Sequence, residues 1–493
     1  MLKPSFRECR GSFAKPHNHV YCIEHRIRVL RRKSVSNKRA EREVQRIIET
    51  PTENLMDTSF QCVCGRIHEI PMKYLSNKTG AIDEVGSKLR EFGMTGRGAL
   101  ICDHKIEGSV VREIHKRLSI QGVELDVYPV GDGHEKIPPE IERSEEITEQ
   151  VRGKTDYLVS VGSGVISDLT KYAAHLLDLP YILIATAPSM NGYTSSMAAL
   201  TDKGIKQTLL VKPAQGIFVD IGVLRHAPLT MVQAGLGDIV SKSVCNADWK
   251  LSQLVKRTYF CPVPFRITDK SEPLYLGAAD DIGNRTEEGI TILSDGVLRS
   301  GLSMTVIGTS TPSSGAEHVL SHYWDLVALM EGRDKLLHGV QVGVTTLITL
   351  RLYDFVRNYP IRNISLDELK RAYPARDETG TWINRKFGSF GEEVRKEYFK
   401  KHMDWNAKRR ELERIIDEWD RLWNELGALL RPIEPVEDAL RRSGSAARYT
   451  DLGKSRDDVV DALLNALFIR GRYTILDLAS DLGILEEAGE KLL

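Results

Sequence analysis

Two histidines in the stretch SSGAEHVLSH could act together. His318 and His322 are four positions apart, just before an apolar, helix-like run. Side chains four apart share one face of a helix, so both imidazoles can point into the same cleft. The pair alone fits a metal site, a catalytic pair or two hydrogen-bonded residues on a helix face. Its chemistry depends on what else the fold brings to this face.

Two further residues would complete a metal site. Asp238 stands in GLGD and His338 in KLLHG, and both stretches are helix-like. One carboxylate and two imidazoles, from Asp238, His318 and His338, make a three-ligand set that leaves a divalent ion an open position, the catalytic arrangement for zinc. Spacing alone does not show that these residues meet.

The surrounding pattern predicts the elements that would position them. Residues 59–225 alternate between strand-like and helix-like segments such as GALICD and DYLVSV, which is typical of a parallel sheet with crossover helices. DYLVSV leads directly into GSG and a helix, so Gly162 and Gly164 lie at a turn that suits a pyrophosphate. A structural turn is the alternative. Residues 226–493 are almost entirely helix-like, with one long charged helix predicted between 389 and 430.

Composition excludes several classes of function. The chain of 493 residues has 41% hydrophobic and 28% charged residues, as in ordinary globular proteins. Sixty-eight basic residues balance sixty-eight acidic ones, so we expect no nucleic-acid partner. The sequence has neither an apolar run of about 20 residues nor a signal-peptide core. We therefore predict a cytoplasmic protein without a membrane span.

The cysteines predict no disulfide framework. Seven are scattered over a long chain, so reduced thiols are expected. Residues 1–58 form a charged N-terminal extension whose cysteines and histidines match no finger spacing: Cys9, His17, His19, Cys22 and His25. Cys62, Cys64 and His68 could hold a metal, but C-x-C-G in a hairpin favours a tight turn, and we leave them unassigned.

Several motifs in register resemble one family. GSGVISDLTKY, ATAPSMNGYTSS, AGLGDIVSK with NADW, SSGAEHVLSH and LHGVQVG resemble the sn-glycerol-1-phosphate dehydrogenases, which are related to dehydroquinate synthase and the iron-containing alcohol dehydrogenases. The likeness spans about residues 59–360. It implies a dehydroquinate synthase-like fold: a Rossmann-like α/β NAD-binding domain at 59–225 and an all-α metal-binding domain at 226–493.

The resemblance also implies roles for residues. Asp238, His318 and His338 would bind one divalent metal, zinc or else nickel or iron, with Asp238 also counted as catalytic, and His322 would lie beside the substrate. The implied cofactor residues for NAD, or NADP, are Asp103, Gly162, Gly164, Val165, Ile166, Ser167, Asp168, Thr186, Ser189 and Ser195. A carboxylate at Asp103 suits a ribose and would repel a 2′-phosphate, although it could instead cap the next helix. The expected substrate is a small phosphorylated polyol or ketone, and we expect a homodimer.

One position departs from the family pattern. Asn191 replaces the aspartate of APSMDG, which removes a negative charge and a proton acceptor beside the substrate. The substrate could therefore be glycerol 1-phosphate or a related polyol phosphate. Two other functions stay open: a cyclase or lyase like dehydroquinate synthase, with no net redox change, and a non-catalytic member whose charged segments serve a partner protein.

Overall fold

The computed structural model describes residues 38–134, 136–202 and 204–492. Most of the predicted N-terminal extension, with Cys9, His17, His19, Cys22 and His25, lies outside these residues. The strands are β1 Thr58–Gln61, β2 Ile67–Ile70, β3 Tyr74–Lys78, β4 Gly98–Asp103, β5 Leu125–Val130, β6 Tyr157–Gly162, β7 Tyr181–Ala185, β8 Met197–Asp202, β9 Ile205–Leu210 and β10 Gly216–Asp220.

Helices follow the sheet strands and then dominate the chain. The first part contains α1 (38–49), α2 Val85–Glu91, α3 His104–Ile106, α4 Arg112–Ile120, α5 Ile141–Val151, α6 Gly164–Leu177, α7 Ile221–Leu224, α8 Leu229–Ile239, α9 Lys242–Lys256, α10 Val263–Asp269, α11 Glu272–Gly277 and α12 Ala279–Gly283. The remainder contains α13 Glu287–Ile307, α14 Ala316–Met330, α15 His338–Asn358, α16 Leu366–Ala372, α17 Arg376–Phe387, α18 Gly391–Tyr398, α19 Trp405–Asp417, α20 Trp419–Gly427, α21 Ile433–Arg442, α22 Arg456–Asn465, α23 Ile475–Asp481 and α24 Leu485–Lys491.

The central sheet is parallel, as the alternation predicts. Its six strands run in the order β3-β10-β7-β6-β4-β5. The strands β4, β6, β7 and β10 are almost fully buried on both faces, which is why they read as continuous apolar runs. β5 pairs on one side of β4 and β6 on the other, so the chain reverses its direction across the sheet at this point. The carboxyl ends of β4 and β6 therefore flank the crevice where open α/β sheets bind ligands.

The predicted helical half is confirmed, since every described element after β10 is a helix. The predicted domain bounds at residues 58 and 225 stay a prediction. Helix α13 has the length and composition of a membrane span, but 72% of its apolar window is buried inside the fold. Its apolar character follows from packing at the centre of the core.

The prediction of one long helix between 389 and 430 is wrong. The region contains α18, α19 and α20, with an irregular interval before Asp404. The Asp404 carboxylate accepts a hydrogen bond from the backbone N–H of Ala407 and so starts a new helix. Charge patterning does not reveal such a cap inside a helix-permissive run.

Glycines let α8 and α15 cross at backbone contact. A Cβ on Gly237 would lie 2.1 Å from the carbonyl oxygen of Gly339, and one on Gly339 would lie 1.9 Å from that of Ala234. Asp238 follows Gly237 on α8, and His338 precedes Gly339 on α15. The close crossing therefore brings these two side chains together.

We predict that Gly237→Ala destabilises the protein. The added methyl group meets backbone atoms that cannot rotate away, and such overpacking costs about 1–3 kcal/mol. The thermal unfolding midpoint should fall measurably. Gly427→Ala at the end of α20 is the matched control, because a Cβ there meets nothing within 4 Å. Equal midpoints for the two variants would contradict this account of the crossing.

Candidate active site

Three helices bring the predicted metal ligands together. Asp238 lies near the end of α8, His318 in the first turn of α14 and His338 at the first position of α15. One ligand atom from each residue lies within 4.8 Å of the others. His318 Nε2 is 3.4 Å from Asp238 Oδ1. The described residues therefore include one carboxylate and two imidazoles in an arrangement that fits a divalent cation.

The free atoms of this cluster also fit a metal. Asp238 is 2% exposed, and its Oδ1 accepts no hydrogen bond from the described residues, while Oδ2 accepts one from the backbone N–H of Asn191 at 2.8 Å. A buried carboxylate oxygen without a donor is costly unless a cation or proton neutralises it. Burial opposes ionisation of Asp238, but the attraction of the nearby His318 imidazole outweighs this and lowers the pKa to about 2.

Neighbouring side chains orient the two imidazoles. His318 Nδ1 lies 2.7 Å from Glu317 Oε1, and His338 Nδ1 lies 3.4 Å from the hydroxyl of Ser321. In both rings Nδ1 contacts a neighbouring side chain, so Nε2 is the nitrogen available to bind a metal. Contacts from the second nitrogen of a metal-binding histidine fix its tautomer and orientation. Burial disfavours the charged form of His318, but Asp238 and Glu317 outweigh it and raise the pKa.

His322 lies beside the cluster without joining it. Its ring is 5.3 Å from that of His338, centre to centre, and nearly parallel to it. Arg470 Nη2 lies 3.5 Å from His322 Nδ1. Because arginine can only donate, Nδ1 is the acceptor and the neutral ring carries its proton on Nε2. Burial and the charges of Lys206 and Arg470 lower the pKa of His322 far below its usual range.

Asn191 lies at the same site, on the loop after β7. Its backbone N–H binds Asp238, and its side-chain Nδ2 is buried without a hydrogen-bond partner among the described residues. The structure thus brings together Asn191, Asp238, His318, His322 and His338. An amide at this position leaves two donors free toward the cleft.

The predicted cofactor residues gather at the carboxyl ends of the strands. β6 ends at Gly162, and α6 begins two residues later with Gly164, Val165 and Ile166, followed by Ser167 and Asp168. The side chain of Ser163 at the N-cap makes no capping bond, so the first backbone N–H groups of α6 remain free to bind an anion. A Cβ on Gly164 would lie 2.8 Å from Met190 Cγ. Glycine at position 164 therefore lets the side chain of Met190 pack against the turn, and the pyrophosphate role of the turn stays a prediction.

The other cofactor predictions separate into two groups. Thr186, Ser189 and Ser195 lie on the loop after β7, where the Thr186 N–H binds the carbonyl of Gly162 at 3.1 Å. The hydroxyls of Ser167 and Ser195 are buried without a partner among the described residues. Asp103 and Asp168 already have hydrogen-bond partners within the protein. The unpartnered hydroxyls are the better candidates for ligand contact.

Both aspartates in the predicted cofactor set make internal contacts. Asp103 Oδ1 accepts a 2.8 Å hydrogen bond from the backbone N–H of Lys105. Asp103 therefore caps the helix that follows, which was the alternative to a role in ribose binding. Asp168 binds the ammonium group of buried Lys171 at 3.0 Å and the N–H of Ala199 at 3.1 Å. Lys171 also donates to the carbonyl of Gly192. Asp168 therefore supports the loop that carries Asn191, and the ribose role of Asp103 stays a prediction.

Sequence reasoning missed two cations that face the cluster. Lys206 on β9 interacts electrostatically with Asp325, Arg470 and Asp238, and burial lowers its pKa. Arg470 precedes α23 and is partly buried, and this desolvation lowers its pKa despite Glu397. Within the described part of the chain Arg470 forms no ion pair. Partly buried cations that form no ion pair among the described residues favour an anionic ligand. No sequence motif quoted for the family includes Arg470, so no local signal could have drawn attention to it.

Comparisons with known proteins identify relatives of the chain. Residues 76–228 match the family model described as iron-containing alcohol dehydrogenase. A glycerol-1-phosphate dehydrogenase (NAD(P)+) of Geobacillus stearothermophilus is 32% identical over 332 residues, which are 67% of this chain and 80% of that protein. The enzyme of the same name from Halalkalibacterium halodurans is 33% identical over 59% of this chain and 74% of its own length.

Solved structures share the fold. A probable glycerol dehydrogenase from Sinorhizobium meliloti 1021 superposes with a TM-score of 0.55 at 15% identity, covering 84% of this chain and 97% of that one. An iron-containing alcohol dehydrogenase from Corynebacterium glutamicum gives 0.54 at 14% identity, covering 86% and 96%. These likenesses confirm the predicted fold class.

We predict that Glu317→Gln weakens metal binding at the Asp238 cluster. The amide keeps the shape and one acceptor but loses the charge that polarises His318, and such changes lower metal affinity about 10- to 100-fold. A chelator competition titration measures this. Glu331 is an exposed residue just after α14, so Glu331→Gln is the control and should bind the metal with wild-type affinity. Unchanged affinity in Glu317→Gln would contradict the role assigned to this contact.

Proposed function

Because the chain belongs to the glycerol-1-phosphate dehydrogenase family, we propose that it interconverts sn-glycerol 1-phosphate and dihydroxyacetone phosphate, or a closely related pair, with NAD or NADP. The observation that carries the proposal is the joint presence of a three-ligand cation cluster and two unpaired cations around one imidazole. A phosphorylated polyol has the two matching ends, a hydroxyl and a dianionic phosphate. The cytoplasmic location and the homodimer stay predictions.

The residues fit both groups that the reaction requires. Asp238, His318 and His338 would hold the divalent cation, and the Gly162–Gly164 turn would hold the dinucleotide pyrophosphate. When bound, the cation supplies Lewis acidity at the substrate oxygen and the nicotinamide exchanges a hydride with C2. The choice among zinc, nickel and iron, and between NAD and NADP, is left to measurement.

His322 would hydrogen-bond the reacting oxygen and orient the hydroxyl proton. Its neutral ring carries a proton on Nε2, which has no partner among the described residues. During ketone reduction this N–H can donate a hydrogen bond to the oxygen that gains negative charge, and during alcohol oxidation it holds the same oxygen, while the hydroxyl proton is exchanged with water. Arg470 at Nδ1 keeps the ring in the required tautomer. A depressed pKa keeps the ring neutral at the start of reduction.

Lys206 and Arg470 would bind the phosphate. Both cations are partly buried beside the imidazole of His322, which is neutral and cannot balance their charge. A phosphate with two negative charges would offset the cost of burying them. Arg472, the neighbouring cation, is instead engaged by the carbonyl of Ser314 and the hydroxyl of Ser310. The anion site is therefore specific to the first two residues.

We expect His318→Ala and His322→Ala to fail differently. The first should lose metal and activity together, because it removes a ligand. The second should keep its metal and lose about 10²- to 10³-fold in kcat, the usual cost of removing one hydrogen-bond donor to a developing oxyanion. The measurements are metal analysis and NADH or NADPH formation with sn-glycerol 1-phosphate, on the same samples.

The wild-type assay also tests the reaction itself. Net NAD(P)H formation supports the dehydrogenase, whereas turnover without net redox change would indicate a cyclase or lyase. Metal at wild-type stoichiometry in His318→Ala would overturn the ligand assignment. Wild-type protein that holds metal and dinucleotide yet oxidises no glycerol phosphate or related polyol phosphate would overturn the proposed reaction.

We expect Lys206→Met to weaken binding of phosphorylated substrates selectively. The loss of one charge-assisted hydrogen bond, about 1.5–3 kcal/mol, raises KM on the order of 10- to 100-fold. Unphosphorylated glycerol, assayed in parallel, should show no comparable change. Lys212→Met, at an exposed lysine just beyond β9, is the matched control. An equal effect on both substrates would exclude Lys206 from the phosphate site.

A further inference from the structure

A second cluster of metal-type ligands lies apart from the residues described so far. Cys62, Cys64, His68 and Cys261 each offer one ligand atom, and these four atoms lie within 4.8 Å of one another. The first two residues occupy the turn between β1 and β2, His68 lies on β2, and Cys261 lies between α9 and α10. Sequence spacing alone could not include Cys261, which is 199 positions from Cys62.

We propose that these four residues form a structural zinc site. Zinc–sulfur bonds of about 2.3 Å and zinc–nitrogen bonds of about 2.0–2.1 Å in a tetrahedron place neighbouring ligand atoms roughly 3.6–3.8 Å apart. Cys62 Sγ and Cys261 Sγ are 3.5 Å apart, and His68 Nε2 lies 3.3 Å from Cys64 Sγ and 3.6 Å from Cys261 Sγ. The spacing therefore already approximates a tetrahedron.

The ligand chemistry selects the metal. Three thiolates and one imidazole are the donor set of closed structural zinc sites, whereas oxygen ligands would suit magnesium or calcium. All four tetrahedral positions are filled by side chains, so no position remains for a substrate. This cluster thus differs from the Asp238 cluster, which offers three ligands and an open position.

Nearby donors favour thiolates at this site. The hydroxyl of Tyr259 lies 3.1 Å from Cys64 Sγ, and the backbone N–H of Cys64 donates to Cys62 Sγ at 3.4 Å. Gly65, with φ of +86°, turns the chain so that both cysteines point to one side. Hydrogen bonds to sulfur of this kind stabilise and orient metal-bound cysteines.

A disulfide is the main alternative, and the geometry disfavours it. A disulfide requires about 2.05 Å between sulfurs, well below the 3.5 Å between Cys62 and Cys261. Both of these thiols are almost completely buried, so oxidants and thiol partners cannot reach them. A disulfide would also leave the placement of His68 beside two sulfurs unexplained.

Zinc here would tie the N-terminal hairpin to the helical half. The segment with Cys261 is joined to α9 through Trp249, whose Nε1 donates to the carbonyl of Tyr259 at 2.7 Å. α9 also carries Asp248, which supports the start of α14. Because the ligands are so distant in sequence, metal loss would free a long segment of chain and lower stability.

Metal analysis of matched variants tests the proposal. Wild-type protein and Cys261→Ser are purified under reducing conditions without chelator, and Cys261→Ser should contain about one equivalent less zinc per chain. Cys102→Ala, a buried cysteine of β4, is the control and should lose none. The comparison measures a difference, so it does not depend on whether the Asp238 cluster is occupied or active.

Cobalt spectroscopy tests the same site without any substitution. Wild-type protein grown or reconstituted with Co²⁺ should show an intense thiolate-to-cobalt charge-transfer band, which a carboxylate–imidazole site cannot produce. His68→Cys should retain metal, since four thiolates also bind zinc, whereas His68→Phe should lose it.

The outcomes are decisive in both directions. Zinc loss confined to the cluster variants, with a thiolate–cobalt band in the wild type, would support the site. Equal zinc in wild type and Cys261→Ser, absence of the band, or a Cys62–Cys261 disulfide found by mass spectrometry in zinc-free protein would overturn it. A negative result leaves the proposed dehydrogenase reaction untouched, because that reaction rests on other residues.

Discussion

One buried carboxylate, that of Asp248, joins three segments of the helical half of the protein. Asp248 on α9 accepts hydrogen bonds from the N–H of Ala316 at 2.6 Å, the hydroxyl of Tyr353 at 2.7 Å and the N–H of Ile475 at 2.7 Å. These donors belong to α14, α15 and α23. The first two helices carry the histidines of the metal cluster, and Arg470 precedes the third. A single acceptor therefore fixes the relative position of the cation site and the anion site.

The position of Asp248 is electrostatically costly. Burial and the neighbouring Glu317 raise its pKa to about 7, although three donors favour the ionised form. The Glu317 carboxylate can lie close to Asp248 because His318 Nδ1 and the backbone N–H of Gly315 both contact its Oε1. The Glu317 carboxylate places negative charge behind the imidazole of His318. That field favours a divalent cation in front of the ring.

Local patterns predicted more of the fold than of the site. The buried strands, the glycine turn after β6 and the helical half follow from periodicity and turn chemistry. The break before Asp404 could not be predicted, because a capping aspartate within a charged run resembles any other surface residue. The resemblance to the family, in the order and spacing of its motifs, predicted that Asp238, His318 and His338 lie together. The resemblance did not predict that Lys206 lies at the Asp238 cluster or that Cys261 lies beside Cys62. Their neighbours are distant in sequence, so local spacing gives no sign of these contacts.

The polarity of the site gives Asn191 a physical meaning. Carboxylates of Asp238 and Glu317 lie at one end, and Lys206 and Arg470 supply positive charge at the other. His322 is influenced mainly by the positive end, which keeps it neutral. An aspartate at position 191 would add a further negative charge beside Asp238, to which the backbone N–H of this residue already donates. With asparagine at position 191, a divalent ion bound by Asp238, His318 and His338 would have one fewer negative charge beside it. The ion would therefore retain more of its Lewis acidity toward the substrate oxygen.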